Sequence, residues 1–256
     1  MSDLPLDTSV PIALHPTSLD LHASALAVEN SLGAYFFENA KATMANIYKN
    51  YSELNATEKT LLASKPVNQK NRASPDVRIV NGVPTLHADV TELATAAEMR
   101  WKKLAPTIDK QVHHLTQQQA ALAKKVSEAI EDPLRKTQEG LSVATSIRDY
   151  VKALPEGERM KFVTDAVAAG DKQTCAAIIH APSYLSGLSS GACDVIRDLA
   201  GERFDPLHAR QARAAAAVIQ HLSGAGAQLM VRYQKTIALK NSDKAKADEA
   251  LRALAK

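Results

Sequence analysis

Aromatic residues are scarce in this chain of 256 residues: four Phe, six Tyr and one Trp, 4% in all. Only ten glycines are present, and β-branched residues seldom follow one another. Sheets draw on β-branched and aromatic residues, so their scarcity argues against a β-rich fold. Cysteine is nearly absent too: Cys175 and Cys193 belong to no C-x-x-C pair and are too few for a disulfide framework. No charge sign dominates, with 31 basic against 28 acidic side chains. Even residues 137–256, the most basic segment, carry 16 basic against 13 acidic residues. The strong positive field of a dedicated nucleic-acid binder is therefore missing. Long apolar runs are missing as well: the longest in the helical regions, Ala214 to Ile219, is far shorter than a membrane span. At the start, Asp3 and Asp7 stand where a signal peptide would carry Lys or Arg. These absences predict no membrane association and a place in the cytoplasm, or in a particle such as a virion assembled there.

What is abundant is Ala, Leu, Lys, Gln and Arg, the residues that lose least on entering a helix. Eleven prolines cut this material into pieces. The expected fold class is all-α: an elongated helical protein with a coiled-coil-like rod, a compact C-terminal helical bundle and at most one small β-hairpin. Four segments are expected. Residues 1–16, with Pro5, Pro11 and Pro16, read as an extended arm, disordered in the isolated chain. Residues 17–84 form an N-terminal helical region, with helix from Ser18 to about Tyr51. Asn55 and Glu58 then resemble a capping arrangement that opens a short helix ending near Ser64. A polar linker, Lys65 to Asp76, leads to Val77–Val80 and Val83–Leu86. These flank Asn81-Gly82, the preferred pair for a two-residue hairpin turn.

Residues 85–136 form the rod. From Trp101, the positions Ile108, Val112, Leu115, Leu122 and Val126, with Gln119 and Ala129, recur in steps that average 3.5 residues. That repeat keeps one apolar seam facing a partner helix, either within the chain or in a second copy. Residues 137–256 break into shorter helices, roughly Gln138–Leu154, Gly157–Ala169, Lys172–His180, Ser189–Ala200 and Pro206–Lys240, with a final Ser242–Lys256 tail and with Asp171 and Asp205 as N-caps.

Chemistry is harder to find. His113 and His114 are adjacent on the rod and cannot share a ligand face. Cys175, His180, Cys193, His208 and His221 lack the close paired spacing of zinc ligands. Gly224-Ala225-Gly226 has no preceding strand to make a phosphate loop, and no G-x-S-x-G elbow occurs. No catalytic residue, metal site or cofactor is expected, and the chain reads as a non-enzyme. Two surfaces could serve partners. Tyr35, Phe36 and Phe37 belong either to the N-terminal core or to a surface for a protein partner. Three consecutive rings cannot all face one core, so at least one should point outward, and they are the candidate anchors for a partner. Arg203, Arg210 and Arg213 could share a face and touch phosphates, which makes nucleic-acid binding the alternative function.

The segment His180-Ala181-Pro182-Ser183-Tyr184-Leu185-Ser186-Gly187-Leu188, preceded by an Ala-rich helix, resembles a stretch recurring in uncharacterised helical proteins of bacteriophages and prophages. The resemblance spans about fifteen residues and carries no catalytic motif. It implies a phage or prophage source. Physically the segment reads as a helix end and a Pro turn, with Tyr184, Leu185 and Leu188 tucked back onto the bundle. The function expected is that of a structural or interaction protein acting in assembly through helical surfaces, with a protein partner or a second copy of itself.

Overall fold

The computed structural model of the protein describes residues 4–29, 31–64, 77–80, 83–131 and 137–254. Among them the protein is all-α apart from one small hairpin. After two 3-10 turns, Ile12–Leu14 and Pro16–His22, come α1 (Ala23–Leu26) and α2 (Leu32–Ser64). Strands β1 (Val77–Val80) and β2 (Val83–Leu86) pair antiparallel with Val80 opposite Val83, leaving two residues to connect them. The turn pair Asn81-Gly82 and the linker 65–76 lie outside the described residues. Then follow α3 (His87–Ile130), α4 (Gln138–Ala153), α5 (Glu156–Ala169), α6 (Lys172–Ile179), α7 (Ser183–Ser186), α8 (Ser190–Phe204) and α9 (Pro206–Leu254).

The residues group into two compact units that do not follow the four consecutive segments. One holds 1–21, 38–115 and 218–256, the other 22–37 and 116–217. Each of the long helices α2, α3 and α9 contributes to both.

In the first unit, α2 and α3 run antiparallel. Asn46 Nδ2 donates to Gln111 Oε1 at 3.4 Å, while four residues later Asn50 Oδ1 accepts from Arg100 at 2.9 Å. Helices α3 and α9 are antiparallel too: the Trp101 and Tyr233 rings lie 5.3 Å apart, and a Cβ on Gly226 would come within 4.0 Å of Ile108 Cγ2. The seam of α3 is thus covered inside the chain. Ile108 and Leu115 are buried and Trp101 and Val112 half-buried, against Val218, Leu222, Ala225, Leu229 and Tyr233 of α9 and Ala40, Met44, Ile47 and Leu54 of α2. Pro106 does not end the helix. It has no N–H for the carbonyl of Lys102, and its exposed position lets water satisfy that group.

Two expectations about the N-terminal region are corrected here. The arm is not extended and free: Val10, Leu14 and Leu19 are buried in the first unit. Polar contacts hold the same segment from Pro5 to Ala13. The Tyr48 hydroxyl accepts from the Asp7 N–H and donates to the Pro5 carbonyl, Ser52 donates to the Asp7 carboxylate, and Asn55 Nδ2 donates to the Ser9 carbonyl at 2.8 Å. His221 Nε2 lies 2.8 Å from the Ala13 carbonyl oxygen. Asn55, expected to cap a separate short helix, sits inside the continuous α2. Its side chain is taken by Ser9 and by Arg232, whose Nε donates to Asn55 Oδ1 at 2.8 Å. The capping pattern failed because the amide finds these long-range partners and the flanking positions, Leu54 and Glu58, are buried.

Arg232 is the polar centre of this unit. Mostly buried, it bonds Asn55, Thr236 Oγ1 at 2.7 Å and the buried carboxylate of Glu58. A buried ion pair adds little over an apolar substitute, but removing one partner strands the other's charge.

In the second unit, α4, α5, α6 and α8 surround a core of Val151, Val163, Cys175, Ile178 and Ile196, with Val126 and Ile130 from α3. Helices α4, α5 and α6 keep their expected bounds to within a residue. Helix α8 runs past Ala200 and Gly201 to Phe204, α9 continues past Lys240 to Leu254 with no separate tail, and the one-turn α7 was not expected. The Thr137, Asp171 and Ser189 side chains cap α4, α6 and α8, and Asp205 Oδ1 accepts the His208 N–H at the start of α9. Gly170 and Gly187 end α5 and α7 at φ of 77° and 70°, a region where a side chain is strained. Arg159 ties the α4 end to the α7 end by donating to the carbonyls of Lys152, Leu154 and Gly187. Gly201 lets α8 approach α3 and α9, since a Cβ there would lie 2.8 Å from Val126 Cγ1 and 3.3 Å from the Ala209 Cβ.

Three measurements check this account. Arg232→Met should cost about 3–5 kcal/mol in urea unfolding by leaving Glu58 buried and unpaired, and adding Glu58→Leu should recover most of it. Leu14→Ala should cost about 2–5 kcal/mol, as a core residue would; a change near zero would return the N-terminal segment to a loose arm. The hydrogen bonds from Ser52 and Ser9 hold the Asp7 carboxyl below its ordinary value. The stability it contributes is therefore full above about pH 4 and is lost as pH falls through its lower folded value. Asp7→Asn should flatten that part of the urea-midpoint profile.

Candidate interaction surface

The second unit leaves several large apolar side chains in water while burying a complete core, and they gather on the short helices. Leu141, Val143 and Tyr150 of α4 are exposed, as are Tyr184 and Leu185 of α7 and Val195 and Leu199 of α8. The expectation that Tyr184, Leu185 and Leu188 fold back together is corrected. Leu188 is buried, but Leu185 is 38% and Tyr184 70% exposed, because α7 is a single turn stopped by Gly187 and only one edge of it meets the core.

Between α4 and the α6–α7 connection lies a groove of about 230 Å³. Its walls are Leu141, Ala144 and Arg148 on one side and Ala177, Pro182 and Leu185 on the other. Arg148 is fixed there by donating to the Ala177 carbonyl at 3.3 Å and to Thr145 Oγ1 at 3.0 Å. Among the described residues no carboxylate lines this groove, and the ionisable side chains that do are Arg148 and His180. A second groove of about 240 Å³ is lined by Ala123, Val126, Gly201 and Ala212, with Arg197, Asp198 and Arg213 at its edge. Both fall below the roughly 300–1,000 Å³ typical of small-molecule sites and suit single side chains of a partner.

The three rings of α2 divide as a helix must. Tyr35 is 62% exposed, whereas Phe36 and Phe37 are buried. Phe36 and Phe37 are therefore corrected to core residues, and only Tyr35 can reach a partner. The remaining seam residues Leu122 and Val126 are buried in the second unit. The arginines do not form one basic face. Arg203 is on α8, beside Gly170, while Arg210 and Arg213 are on α9. Arg213 is bonded to Glu202, whose carboxyl is held below its usual range first by that hydrogen bond and then by the charges of Arg213 and Arg210.

Among the described residues no three His, Cys, Asp or Glu side chains are arranged to hold a metal ion. No helix among them is long and apolar enough to cross a membrane. Both cysteines are buried, and burial, with the Asp171 charge, pushes the Cys175 thiol up to about 11. Asp194 forms an ion pair with Arg197 at 2.6 Å.

The groove residues were not singled out from sequence. Leu141 and Arg148 are seven residues apart and so share a helix face, but only the packing of α6 and α7 beside that face makes it a wall. Comparison with family models, curated proteins and solved structures finds nothing that matches the chain.

Because only the thiolate reacts, Cys175 should resist a thiol reagent at pH 8 in the native protein and react at the rate of a free cysteine in urea. Fast native labelling of Cys175, read by peptide mass after digestion, would contradict its placement in the core.

Proposed function

We propose that this chain is a non-enzymatic interaction protein that works in assembly by presenting helical surfaces to protein partners, in a phage or prophage setting. The observation that supports this reading is the collection of exposed apolar side chains on α4 and α7, namely Leu141, Val143, Tyr150, Tyr184 and Leu185. Leu141 and Leu185 border the groove, whereas Val143 and Tyr150 lie on the opposite side of α4, so the apolar exposure covers more than one face. A helix set that already encloses its own core gains nothing from leaving these side chains in water, and exposed apolar surface of this kind marks interaction sites. The mild net charge of +3 and the pairing of Arg213 with Glu202 weigh against phosphate contacts as the driving force.

Sedimentation of extracts in which the chain is co-expressed with its neighbouring genes tests the reading. The chain should travel in a complex larger than itself, and that complex should survive nuclease and moderate salt, because burial of apolar surface is nearly indifferent to salt. Tyr184→Asp with Val143→Asp should release the chain without lowering its melting temperature, both positions being exposed. Release by nuclease, or steeply with rising salt, would replace the assembly reading with nucleic-acid binding.

A further inference from the structure

The α4–α7 groove has a counterpart on the same molecule. Helix α8 points Val195 (49% exposed) and Leu199 (39% exposed) outward, one turn apart. Asp198 lies on the same face, three residues after Val195, and is exposed. The other charges of this helix are largely engaged: Arg197 pairs with Asp194 and Glu202 with Arg213, while Arg203 stands beside Gly170. Among the described residues Asp198 is in no ion pair, although it borders the groove edged by Arg197 and Arg213. One face of the second unit therefore offers an apolar ridge with a carboxylate, and another offers an apolar groove with the fixed guanidinium of Arg148 and, among the described residues, no acid in its lining.

We infer that the α4–α7 groove takes the α8 ridge of a second copy of this chain, with Val195 and Leu199 against Leu141, Pro182 and Leu185, and Asp198 facing Arg148. This rests on the interaction-protein reading above and names one partner for its surface. Both elements belong to one compact unit, and α8 is held in that unit by Ile196 and Ala200, so the ridge cannot leave to fill its own groove. Two different patches then join at each contact. Such a contact is heterologous: every copy retains one free groove and one free ridge, and association continues until a ring closes or a filament grows. The volume of the groove, about 230 Å³, suits side-chain knobs of a helix and not a separate ligand.

The test uses the purified full chain alone, which separates it from the co-expression experiment. In analytical ultracentrifugation the mean mass of the wild-type protein should rise with concentration beyond that of a dimer. A groove variant, Leu141→Asp, and a ridge variant, Val195→Asp with Leu199→Asp, should each raise the apparent dissociation constant about tenfold or more while keeping the helical spectrum. The decisive sample is their mixture. The ridge variant keeps its groove and the groove variant keeps its ridge, so the two should form a capped dimer that neither forms alone and that grows no further. Should either variant fail to fold, charge reversal replaces it: Arg148→Glu or Asp198→Arg alone weakens association, and the two together restore it.

A wild-type chain that stays monomeric to millimolar concentration overturns the inference and leaves the reading of the chain as an interaction protein standing. A mixture that stays monomeric, or reversals that fail to restore association, also overturns it. Loss of the co-expressed complex with self-association intact would remove the partner reading instead.

Discussion

The structure depends on one requirement: the apolar stripes of three long helices must be covered. The stripe of α3 repeats every 3.5 residues, and an exposed row of Ile108, Leu115 and Leu122 would be an aggregation hazard. The chain supplies its own cover. In the first unit α3 lies antiparallel to both α2 and α9, so α2 and α9 run parallel to each other there. The cover has polar anchors at defined heights: Asn50 with Arg100, and Asn55 and Glu58 with Arg232. An apolar stripe alone tolerates sliding by a turn. A buried cation that must meet a buried carboxylate does not, and this specifies register even where it adds little to net stability.

That arrangement explains the N-terminal segment. Its three prolines and few charges make it a poor helix, which favours a segment that binds elsewhere. What decides its place is a site built by α2 and α9, where Tyr48, Asn55 and His221 point polar groups at its backbone and Ser52 bonds the Asp7 carboxylate. Leu14 and Leu19 are buried while Ile12 and Leu21 stay exposed, as expected of a strap that touches the core along one edge. The second unit works differently. Two of its short helices, α5 and α7, stop at left-handed glycines, and Arg159 joins the α4 and α7 ends by a three-way grip, so packing there rests on turn chemistry more than on a repeat. Short helices cannot cover one another completely, and the exposed edges of α4, α7 and α8 follow from that geometry.

Much was legible in the sequence wherever physics is local. Helix content followed from residues of high helical propensity and few β-branched runs, and the hairpin from two β-rich stretches around Asn-Gly. The starts of α6 and α9 were marked by Asp171 and Asp205, each of which accepts a backbone N–H three residues on. The seam was readable too, because periodicity survives any tertiary arrangement. That three adjacent rings could not share a core was a matter of helix geometry, and Tyr35 is the one left out.

Other features depended on contacts distant in the chain, which no local pattern encodes. Asn55 carries the signature of a cap, yet its amide is used by Ser9 and Arg232, 46 and 177 residues away. Phe36 and Phe37 looked as available as Tyr35 until neighbouring helices covered two of the three directions. Arg213 is shielded by Glu202 from the preceding helix, a pairing set by the turn at Asp205 and invisible in a charge count. The groove beside Arg148 exists only because α6 and α7 pack against α4. Sequence alone thus determined the all-α class and which stripes must be hidden, since those follow from propensity and period. It did not determine every helix end: the helix expected from Ser18 to about Tyr51 is interrupted between Leu26 and Leu32, and α2, α8 and α9 each run past an expected stop. Tertiary structure decided what hides them and which side chains remain outside, since that depends on which distant surfaces meet.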